Sequence, residues 1–570
     1  DDPASGWHGG QPERKTLPGS LHPVVASLLE QRGYYEEDDH VRFLSPQYDR
    51  DLHDPFLFSQ MERVVERIGS SVKRGEVIGI FGDYDADGVT SSVVMREAIQ
   101  SIGGRVVVYI PKKDTEGHGL NTRALDFFTT EGARLIMTLD CGMMNHAEIE
   151  EANMLGLDVI IIDHHHVPEV LPSAYAIINP KLHGETYPFR DLCGAGTAFK
   201  VAQALFRRFA PDQEDQVKWL LDIVATGTVA DVMPLVGENR VLVTYGLIVL
   251  SRTRRIGFQE MFRVGRMPFN SEKKPSARDI AFQIAPRINA ASRMAHAMLA
   301  HDLLMESDVD RANELAIELE NHNNARRKLS TETAEQVSAL VEAEYQDKKF
   351  IFAVGEMYPF GIVGLIAGRI ANTYRKPTCV LFRGTEESMG SFRSIPEFNI
   401  IEALEKCADL LVKFGGHAQA AGMTIRNEKL DAFYERFSSL VEDGLREVVT
   451  EPELWIDMRI RPTDIVPELV ATLSRFAPFG EGNTEPVFAL SDMRVKQARF
   501  VGSGNKHWKL VLESPDGMRS FEAIGFSLGE RFPEIVEGDR LDIAFTLEEN
   551  VWNGRSSIQL KLVDLCLKGE

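Results

Sequence analysis

One stretch of the chain decides its fold: Val77-Ile78-Gly79-Ile80-Phe81-Gly82-Asp83-Tyr84-Asp85-Ala86-Asp87-Gly88. The apolar run at its start is typical of a short buried strand, and a helical pattern follows at about 91–101. Between them, three aspartates alternate with other residues, and the flanking glycines let the backbone bend tightly beside them. The stretch therefore predicts a strand that ends in carboxylates and leads into a helix.

Four more apolar runs of strand length follow, at 106–110, 135–139, 159–162 and 176–178. The spaces between them are long enough for helices. Continuous apolar strands that alternate with helices are typical of a parallel sheet covered on both faces. The first long part of the chain is therefore predicted to be an α/β domain.

Helical patterns predominate from about 197 to 250 and again from about 301 to 345. The second stretch contains no Gly or Pro, so it predicts one long connecting helix. A second α/β unit begins near Lys349, with strand-like runs at 350–354 and 378–382, and ends near Asp443.

From about Glu451 the chain changes to short β-like runs, which predict a small β-barrel, and the Asn553-Gly554 pair between two of them predicts a type I′ hairpin. The fold class is therefore α/β with a C-terminal barrel. The predicted limits are an N-terminal extension at 1–65, a catalytic α/β domain at 66–300, a connecting helix at 301–346, a second α/β domain at 347–445 and the barrel at 446–570.

Composition narrows the functional classes. The chain has 570 residues and is 44% hydrophobic, which is enough for three or four domains. Its net charge of −22 argues against a broad basic face that coats duplex DNA, but is compatible with a narrow basic channel. No apolar run approaches the roughly 18 residues of a transmembrane helix, so no membrane role is expected. The five widely spaced cysteines form no Cys-x-x-Cys pair, which favours a reducing cytoplasm.

Acidic and imidazole side chains follow three of the predicted strands, at the point where each strand ends. These are Asp83, Asp85 and Asp87 after the first strand, Asp140 after the third, and Asp163-His164-His165 after the fourth. Strand ends of a parallel sheet lie along one edge, which is where such folds bind ligands. Carboxylates with one or two imidazoles suit Mn²⁺ or Mg²⁺. The sequence therefore predicts a divalent-metal site at this edge.

Each acidic element has a simpler interpretation when taken alone. An isolated Asp-x-Asp-x-Asp is often a calcium loop or a solvated turn, and an isolated Asp-His-His is often a surface turn. The EF-hand is disfavoured because its loop pattern and closing Glu are absent. All three elements directly follow buried-type strands, so the metal site is preferred. Two ions roughly 4 Å apart, bridged by a carboxylate such as Asp140, can activate water and hold both oxygens of an in-line phosphoryl displacement.

The same residues resemble the DHH phosphoesterase family. Its first three motifs are matched by 82–88, Asp140-Cys141-Gly142 and Asp163-His164-His165, and its fourth by 228–235, in which Asp231 is the acid. The segment 414–422, Phe-Gly-Gly-His-Ala-Gln-Ala-Ala-Gly, resembles the glycine-rich motif of the DHH-associated domain.

Other segments resemble the RecJ branch of this family. They are Ala285-Pro286-Arg287-Ile288-Asn289-Ala290-Ala291-Ser292-Arg293, Gly390-Ser391-Phe392-Arg393-Ser394 and Pro478-Phe479-Gly480, and the match runs in order from about residue 65 to the end of the chain. The resemblance implies a 5′-to-3′ exonuclease that degrades single-stranded DNA to mononucleotides in repair and recombination, with an OB-like C-terminal barrel.

The resemblance also implies roles for single residues. The implied metal ligands are Asp85, Asp87, Asp140, His164 and Asp231, with Asp83 as a further ligand or a supporting acid. His165 would lie near the scissile phosphate, or would orient His164. The implied nucleic-acid contacts are Arg287, Ser391, Arg393, Gly415, Gly416 and His417. A tight turn is the alternative for the glycines, and a surface salt bridge is the alternative for each arginine. Trp508 and Trp552 are candidates for base stacking, although core packing fits either equally well.

This chain departs from the family pattern at three places. Phe81 stands where some DHH relatives carry a metal-ligating His, Pro359 stands where RecJ proteins commonly have His, and His118 stands where Tyr is usual. Lys112 and Lys113 lie near the position of an expected Arg. These departures imply a more open or water-completed shell, or weaker binding, for one metal and an altered affinity for the strand, while the core chemistry is expected to survive.

Two other functions stay open. One is a DHH phosphodiesterase for short oligonucleotides or cyclic dinucleotides, which has less reason to carry a C-terminal barrel. The other is a non-catalytic scaffold on an inactive DHH core, which would be expected to lose metal ligands. The resemblance implies a monomer that binds single-stranded DNA and works with single-strand-binding protein and a helicase.

Overall fold

The computed structural model describes residues 7–8, 21–446, 453–502, 504, 506–552 and 555–568. The predicted Asn553-Gly554 turn lies outside these residues. The described residues of the N-terminal part contain a two-residue strand and four α-helices: β1 (Trp7–His8), α1 (Pro23–Gln31), α2 (Glu37–Leu44), α3 (Tyr48–Asp51) and α4 (Met61–Arg74).

The first sheet is parallel throughout and carries helices on both faces. Its part of the chain runs β2 (Val77–Gly82), α5 (Ala86–Ser101), β3 (Arg105–Tyr109), α6 (Thr122–Thr130), β4 (Ala133–Leu139), α7 (His146–Met154), β5 (Asp158–Ile162) and β6 (Ala176–Ile178). The strand order is β3-β2-β4-β5-β6. Ile80 packs in the core under α4 and α5, while the next residue, Phe81, packs on the opposite face with α6 and α7. The predicted parallel α/β domain is confirmed.

A set of helices follows the sheet and ends in a long one. They are α8 (Gly194–Phe209), α9 (Leu221–Ala230), α10 (Gly237–Leu250), α11 (Ile256–Val264), α12 (Ala277–Asp279), α13 (Ala285–Met294), α14 (Met298–Met305) and α15 (Val309–Glu344). The last has 36 residues and is about 54 Å long. Its first half packs in the core of the parallel sheet through Leu315, and its second half in the next domain through Val337. It begins later than predicted because the Asp308 side chain accepts the Arg311 N–H and caps it there.

The second sheet is mixed. Its part of the chain runs β7 (Ile351–Gly355), α16 (Val363–Tyr374), β8 (Thr378–Arg383), β9 (Glu387–Arg393), α17 (Ile400–Glu405), β10 (Leu411–His417), β11 (Ala420–Arg426) and α18 (Leu430–Gly444). The order is β10-β11-β9-β8-β7, with only β7 and β8 parallel to each other. Phe350, Phe392, Phe433 and Phe437 fill the core beneath it.

The C-terminal part is a closed β-barrel. It contains β12 (Leu454–Trp455), β13 (Met458–Arg459), α19 (Pro467–Leu473), β14 (Phe488–Val501), β15 (His507–Glu513), β16 (Ser520–Gly525), α20 (Leu528–Arg531), β17 (Arg540–Trp552) and β18 (Arg555–Leu567). Strand β14 pairs with both β15 and β17, which closes the ring β14-β15-β16-β18-β17. Trp508 is 3% exposed and stacks on Phe500, so it belongs to the core.

The two ends of the chain share one core. Val25, Leu28 and Leu29 of α1 and Phe43 of α2 pack in the same apolar cluster as the barrel strands. The first helices therefore complete the C-terminal barrel, whereas α4 packs under the parallel sheet. The limits predicted for the domains stay predictions.

Candidate metal centre

The carboxyl ends of β2, β4 and β5 lie side by side. The backbone N–H groups of Asp83, Asp140 and Asp163 each donate to the last carbonyl of the neighbouring strand, at 3.2, 3.0 and 3.0 Å. The parallel ladder thus continues one residue beyond each strand and brings the acidic elements to one edge. Asp140 has a φ of 60°, a left-handed conformation that Asp tolerates better than most residues.

Asp85 and Asp87 are held by helix N-termini. The Asp85 side chain caps α5 by accepting the N–H groups of Asp87 and Gly88 at 2.9 and 3.1 Å. The Asp87 side chain accepts the N–H groups of Gly194 and Ala195 at the start of α8, at 2.6 and 2.9 Å. A Cβ at Gly194 would lie 2.9 Å from the Asp87 carboxylate, so only glycine permits this approach. The positive ends of two helices therefore stabilise this carboxylate pair.

His164 is placed as a metal ligand would be. Its Nε2 lies 3.1 Å from Asp140 Oδ1, 3.5 Å from Asp231 Oδ2 and 3.8 Å from Asp87 Oδ2. Burial lowers the pKa of His164 to about 3, so the imidazole is neutral at physiological pH. A neutral imidazole has a free lone pair, which is the form that binds a metal ion.

His165 has a different state, set by Asp163. Burial acts to lower the pKa of His165, but the 2.7 Å hydrogen bond from its Nδ1 to Asp163 Oδ1 more than offsets this, and the pKa rises to about 9. The same Asp163 oxygen accepts the backbone N–H groups of His164 and His165. Asp163 therefore fixes both histidines, and His165 is an imidazolium at the edge of the site.

The acids and imidazoles converge on shared points. Three groups among the described residues bring their ligand atoms within 4.8 Å of one another, and Asp140 belongs to two of these groups: Asp140, His164 and His165; Asp87, His164 and Asp231; Asp83, Asp85 and Asp140. The structure thus brings together every predicted metal ligand. A carboxylate shared by two groups is suited to bridge two ions.

The cluster is electrostatically crowded. Burial and then Asp85 raise the pKa of Asp87 to about 6, and burial and then Asp87 raise the pKa of Asp231 to about 8. Burial and the neighbouring acids also raise the pKa of Asp140 well above its usual range. A divalent cation would remove this repulsion, and the oxygen-rich ligand set fits Mn²⁺ or Mg²⁺.

A basic wall faces the acids. It is formed by Lys113, Arg293 and Arg393, whose charges act on one another across the interface between the two α/β domains. Burial and then Arg293 lower the pKa of Lys113 to about 8. Positive charges that face a cluster of metal-binding acids are suited to bind the phosphate of a substrate between the two.

The predicted nucleic-acid residues of the second domain lie in two adjacent rows of its sheet. In one row, Ser391 on β9 pairs with Gly422 on β11, which pairs in turn with Gly415 on β10. In the other row, Arg393 on β9 pairs with Ala420 on β11, which pairs in turn with His417 on β10. The Arg393 side chain donates to Ser391 Oγ at 2.8 Å and to Phe392 O at 2.7 Å. Ser391, Arg393, Gly415 and His417 therefore share one face, because paired and alternate residues point to the same side.

Gly416 points the other way. Its φ is +149°, and a Cβ there would lie 2.4 Å from Ala420 O. A glycine is therefore required by the hairpin itself, and its neighbours on either side carry the exposed face.

Arg287 is not placed with this group. It is 8% exposed and donates to both oxygens of Glu320 on α15, at 2.6 and 3.2 Å, and to Gln283 O. The arginine of the same segment that reaches the site is Arg293, which the sequence prediction did not select. The Asn289 side chain accepts the Ala86 N–H at 2.9 Å and joins α13 to the metal centre.

The three departures have defined places. Phe81 is fully buried and stacks on Tyr109, and Pro359 lies in the turn before α16. His118 Nδ1 lies 3.0 Å from Asp83 Oδ1, and this hydrogen bond raises the pKa of His118. His118 therefore supports Asp83, and its ring centroid lies 5.9 Å from that of His165.

A cavity of about 1120 Å³ opens beside the metal centre. Its lining comes from the segment after Asp231, from α13, from α15 and from a loop of the barrel domain, and it includes Val232, Phe282, Arg293, Arg326 and Phe479. Arginines and exposed apolar side chains in one groove suit the phosphates and bases of a single nucleic-acid strand. In the part of the chain that the structure describes, none of the helices combines the length and the apolar character that a membrane span requires.

Three family models match the chain. The model of the DHH family, N-terminal domain, matches residues 77–228, the DHHA1 domain model matches 347–443, and the RecJ OB domain model matches 456–564. The matched residues contain the parallel sheet, the mixed sheet and the barrel.

Relatives and solved structures agree with these models. The chain is 36% identical to the single-stranded-DNA-specific exonuclease RecJ of Bacillus subtilis (strain 168), over 98% of this chain and 70% of that protein. It is 31% identical to the protein of the same name from Escherichia coli (strain K12), over 96% of each. The crystal structure of RecJ in complex with Mn²⁺ from Thermus thermophilus matches with a TM-score of 0.80 and 27% identity, over 96% of this chain and 76% of that one. Its complex with Mg²⁺ matches with a TM-score of 0.74 and 26% identity, over 96% and 75%.

Proposed function

This chain belongs to the RecJ family of DHH phosphoesterases, and we propose that it is a metal-dependent exonuclease that degrades single-stranded DNA from the 5′ end to mononucleotides. The observation that carries this proposal is that two surfaces of opposite charge face each other. One is the cluster of acids and imidazoles at the edge of the parallel sheet, and the other is the basic wall across from it. A phosphodiester between them would contact both.

Asp83, Asp85, Asp87, Asp140, His164 and Asp231 would hold two divalent ions, Mn²⁺ or Mg²⁺. When bound, these ions supply activation of water and neutralisation of charge at phosphorus. His165 would donate from its imidazolium to a phosphate oxygen, because the Asp163 hydrogen bond keeps it protonated. The neutral His164 and the protonated His165 thus have separate tasks.

The polarity is supported by the exposed face of the second domain. Ser391, Arg393, His417 and the backbone at Gly415 and Gly416 would bind the terminal 5′ phosphate, with Arg293 and Lys113 closing the pocket from the other domain. A terminal phosphate carries more charge than an internal one, so a pocket of this kind favours an end. Arg287 is held by Glu320, and we therefore propose Arg293 for the contact that the sequence assigned to Arg287.

Selection for a single strand is supported by the cavity and by the barrel. The cavity lies between the catalytic domain and the barrel domain, so bases leaving the metal centre would enter it in single file. OB-like barrels bind single strands by stacking bases and by charge. We also propose the domain limits that the sequence predicts, with α15 (Val309–Glu344) as the helix of the connecting segment at 301–346.

The cellular setting is part of the proposal. We propose a monomeric cytoplasmic enzyme of DNA repair and recombination that works with single-strand-binding protein and a helicase. Four buried thiols, Cys141, Cys193, Cys379 and Cys407, support a reducing compartment.

The experiment uses a long single-stranded DNA with a 5′ phosphate, labelled at either end, with Mn²⁺ or with chelator. We expect metal-dependent release of the 5′ label as a mononucleotide while the 3′ label stays in shortening strands. The Asp140→Asn variant is the matched control and should release neither label. Turnover of dinucleotides without digestion of this strand would refute the proposed substrate.

A further inference from the structure

The loop that carries Asp231 is fixed from within the catalytic domain. This Asp231 loop, residues 231–236, joins α9 to α10. The fully buried Asn239 donates its side-chain N–H groups to Pro234 O at 3.1 Å and to Asp191 O at 2.6 Å. The Asn239 amide therefore connects the Asp231 loop to the segment that precedes α8. The N-terminus of α8 in turn binds the Asp87 carboxylate.

The same loop is bonded to the barrel domain. The backbone N–H of Leu235 donates to Glu481 O at 2.7 Å. Glu481 belongs to a segment at 474–485, here called the barrel loop. A Cβ at Gly480 of this loop would lie 2.7 Å from Leu235 Cδ1, so glycine allows the two loops to touch. The buried Asn483 amide donates to Phe476 O and Pro478 O and keeps the barrel loop in one shape.

Arg240 stabilises the contact between the catalytic domain and the barrel loop. It lies on the first turn of α10, is 2% exposed, and donates to Phe476 O at 2.8 Å, Arg475 O at 2.8 Å and Ala477 O at 2.9 Å of the barrel loop. Its Nε donates to Phe43 O at 3.0 Å, and the guanidinium lies 4.0 Å from the Phe43 ring centroid. Four N–H groups of a buried cation are thus satisfied by backbone carbonyls of the barrel domain and of α2.

A contact of this kind allows little independent movement. A shift of the barrel loop away from α10 would leave a buried cation with unsatisfied donors, which is among the more costly changes in a protein interior. Both the barrel loop and the Asp231 loop line the cavity beside the metal centre. A strand in that cavity would press on both loops at once.

We propose that Arg240 is a positioning residue that couples the binding of single-stranded DNA at the barrel loop to the fit of Asp231 around a divalent ion. The inference rests on the proposed function for its ligand, but concerns a residue outside the metal centre and outside the substrate face. Coupling between two sites is reciprocal, so DNA should tighten the binding of metal by the factor by which metal tightens the binding of DNA.

The test measures Mn²⁺ affinity by electron paramagnetic resonance, with and without an oligonucleotide whose 5′ linkages are phosphorothioates that resist cleavage. We expect the oligonucleotide to tighten Mn²⁺ binding of the wild-type protein by about tenfold. In Arg240→Lys, which keeps the charge but loses the fork of donors, this ratio should fall to about one.

The matched control is Arg255→Lys. Arg255 is also a buried arginine that contacts α9, through Asp222 at 3.2 Å, but its other partner is Glu97 rather than the barrel. This variant should keep the tenfold ratio even where its own Mn²⁺ affinity is lower. A structural defect alone would alter both variants alike.

A second variant, Gly480→Ala, guards against a folding failure of Arg240→Lys. It places a methyl group against Leu235 without disturbing a buried charge, and it should also reduce the ratio. The inference is overturned if the oligonucleotide does not change the Mn²⁺ affinity of the wild-type protein. It is also overturned if Arg240→Lys and Gly480→Ala both keep the wild-type ratio of affinities. Digestion of an unprotected strand is measured in parallel. If the protein digests the strand but the oligonucleotide leaves the Mn²⁺ affinity unchanged, only the coupling is refuted. If the protein does not digest the strand, the proposed function is refuted.

Discussion

Replacement of Asp231 by Asn should make the metal-free protein more stable. Asp231 caps the carboxyl end of α9, where the helix dipole disfavours a negative charge, and its side chain is 27% exposed. Burial and then Asp87 and Asp85 raise its pKa from 3.8 to about 8. Its nearest imidazole, His164 at 3.5 Å, is neutral and does not compensate the charge.

The magnitude follows from this shift. About four pKa units correspond to about 6 kcal/mol if the other acids keep their charges. The acids do not all keep their charges, because a proton taken up by Asp87 or Asp140 also lowers the electrostatic repulsion on Asp231. We therefore expect Asp231→Asn to raise the free energy of unfolding by about 2 kcal/mol above pH 8. The unfolded chain ionises this carboxyl above about pH 4 but the folded protein only above about pH 8, so the gain is full above pH 8, shrinks as the pH falls and vanishes below about pH 4.

The assay is urea unfolding at pH 5 and pH 8.5, with chelator and with Mn²⁺. A ligand at a hundred times its dissociation constant stabilises the folded state by about 2.7 kcal/mol, and the wild-type protein should gain this from Mn²⁺ while the variant should not. The order of stability should therefore reverse between chelator and Mn²⁺. A variant that is less stable than the wild type in chelator at pH 8.5 would refute the electrostatic argument.

Three further changes test other parts of the site. Asp140→Asn should lower nuclease activity by more than about a hundredfold with an unchanged circular dichroism spectrum, because Asn tolerates the left-handed φ of 60°. Arg393→Lys should reduce the preference for a 5′-phosphorylated over a 5′-hydroxyl strand by about tenfold, measured as the ratio of kcat/KM values, whereas Arg287→Lys should leave that ratio unchanged. Asp163→Asn should lower the pKa of His165 from about 9, because the amide keeps a hydrogen-bond acceptor but loses the negative charge that helps to offset burial. Titration of the ¹⁵N-labelled imidazoles in chelator measures this shift, and an unchanged pKa would show that Asp163 does not set the charge of His165.

The metal centre could be predicted from the sequence because its geometry is local. Asp83, Asp140 and His164 each follow an apolar run within two residues, and parallel strands place such positions at a common edge. The fold class followed from the same alternation of strands and helices.

The partner of each arginine could not be predicted in this way. Arg287 and Arg293 lie six residues apart on one helix, which turns them about 240° from each other around its axis. Which of the two faces the metal centre depends on where α15 lies, since Glu320 on that helix captures Arg287. Likewise, nothing local in α1 and α2 shows that their apolar faces pack in the barrel.

The shared core of the two chain ends has a consequence for synthesis. Leu44 and Arg475 are 431 positions apart, yet the Leu44 carbonyl accepts a hydrogen bond from the Arg475 side chain. A ribosome that adds about 5–20 residues per second needs about 20–90 s to travel that distance. For this time the apolar faces of α1 and α2 have no barrel to cover them, although both helices leave the exit tunnel before it. The nascent chain thus exposes this hydrophobic surface while both α/β domains are made, and that surface is where a chaperone would find the unfinished protein.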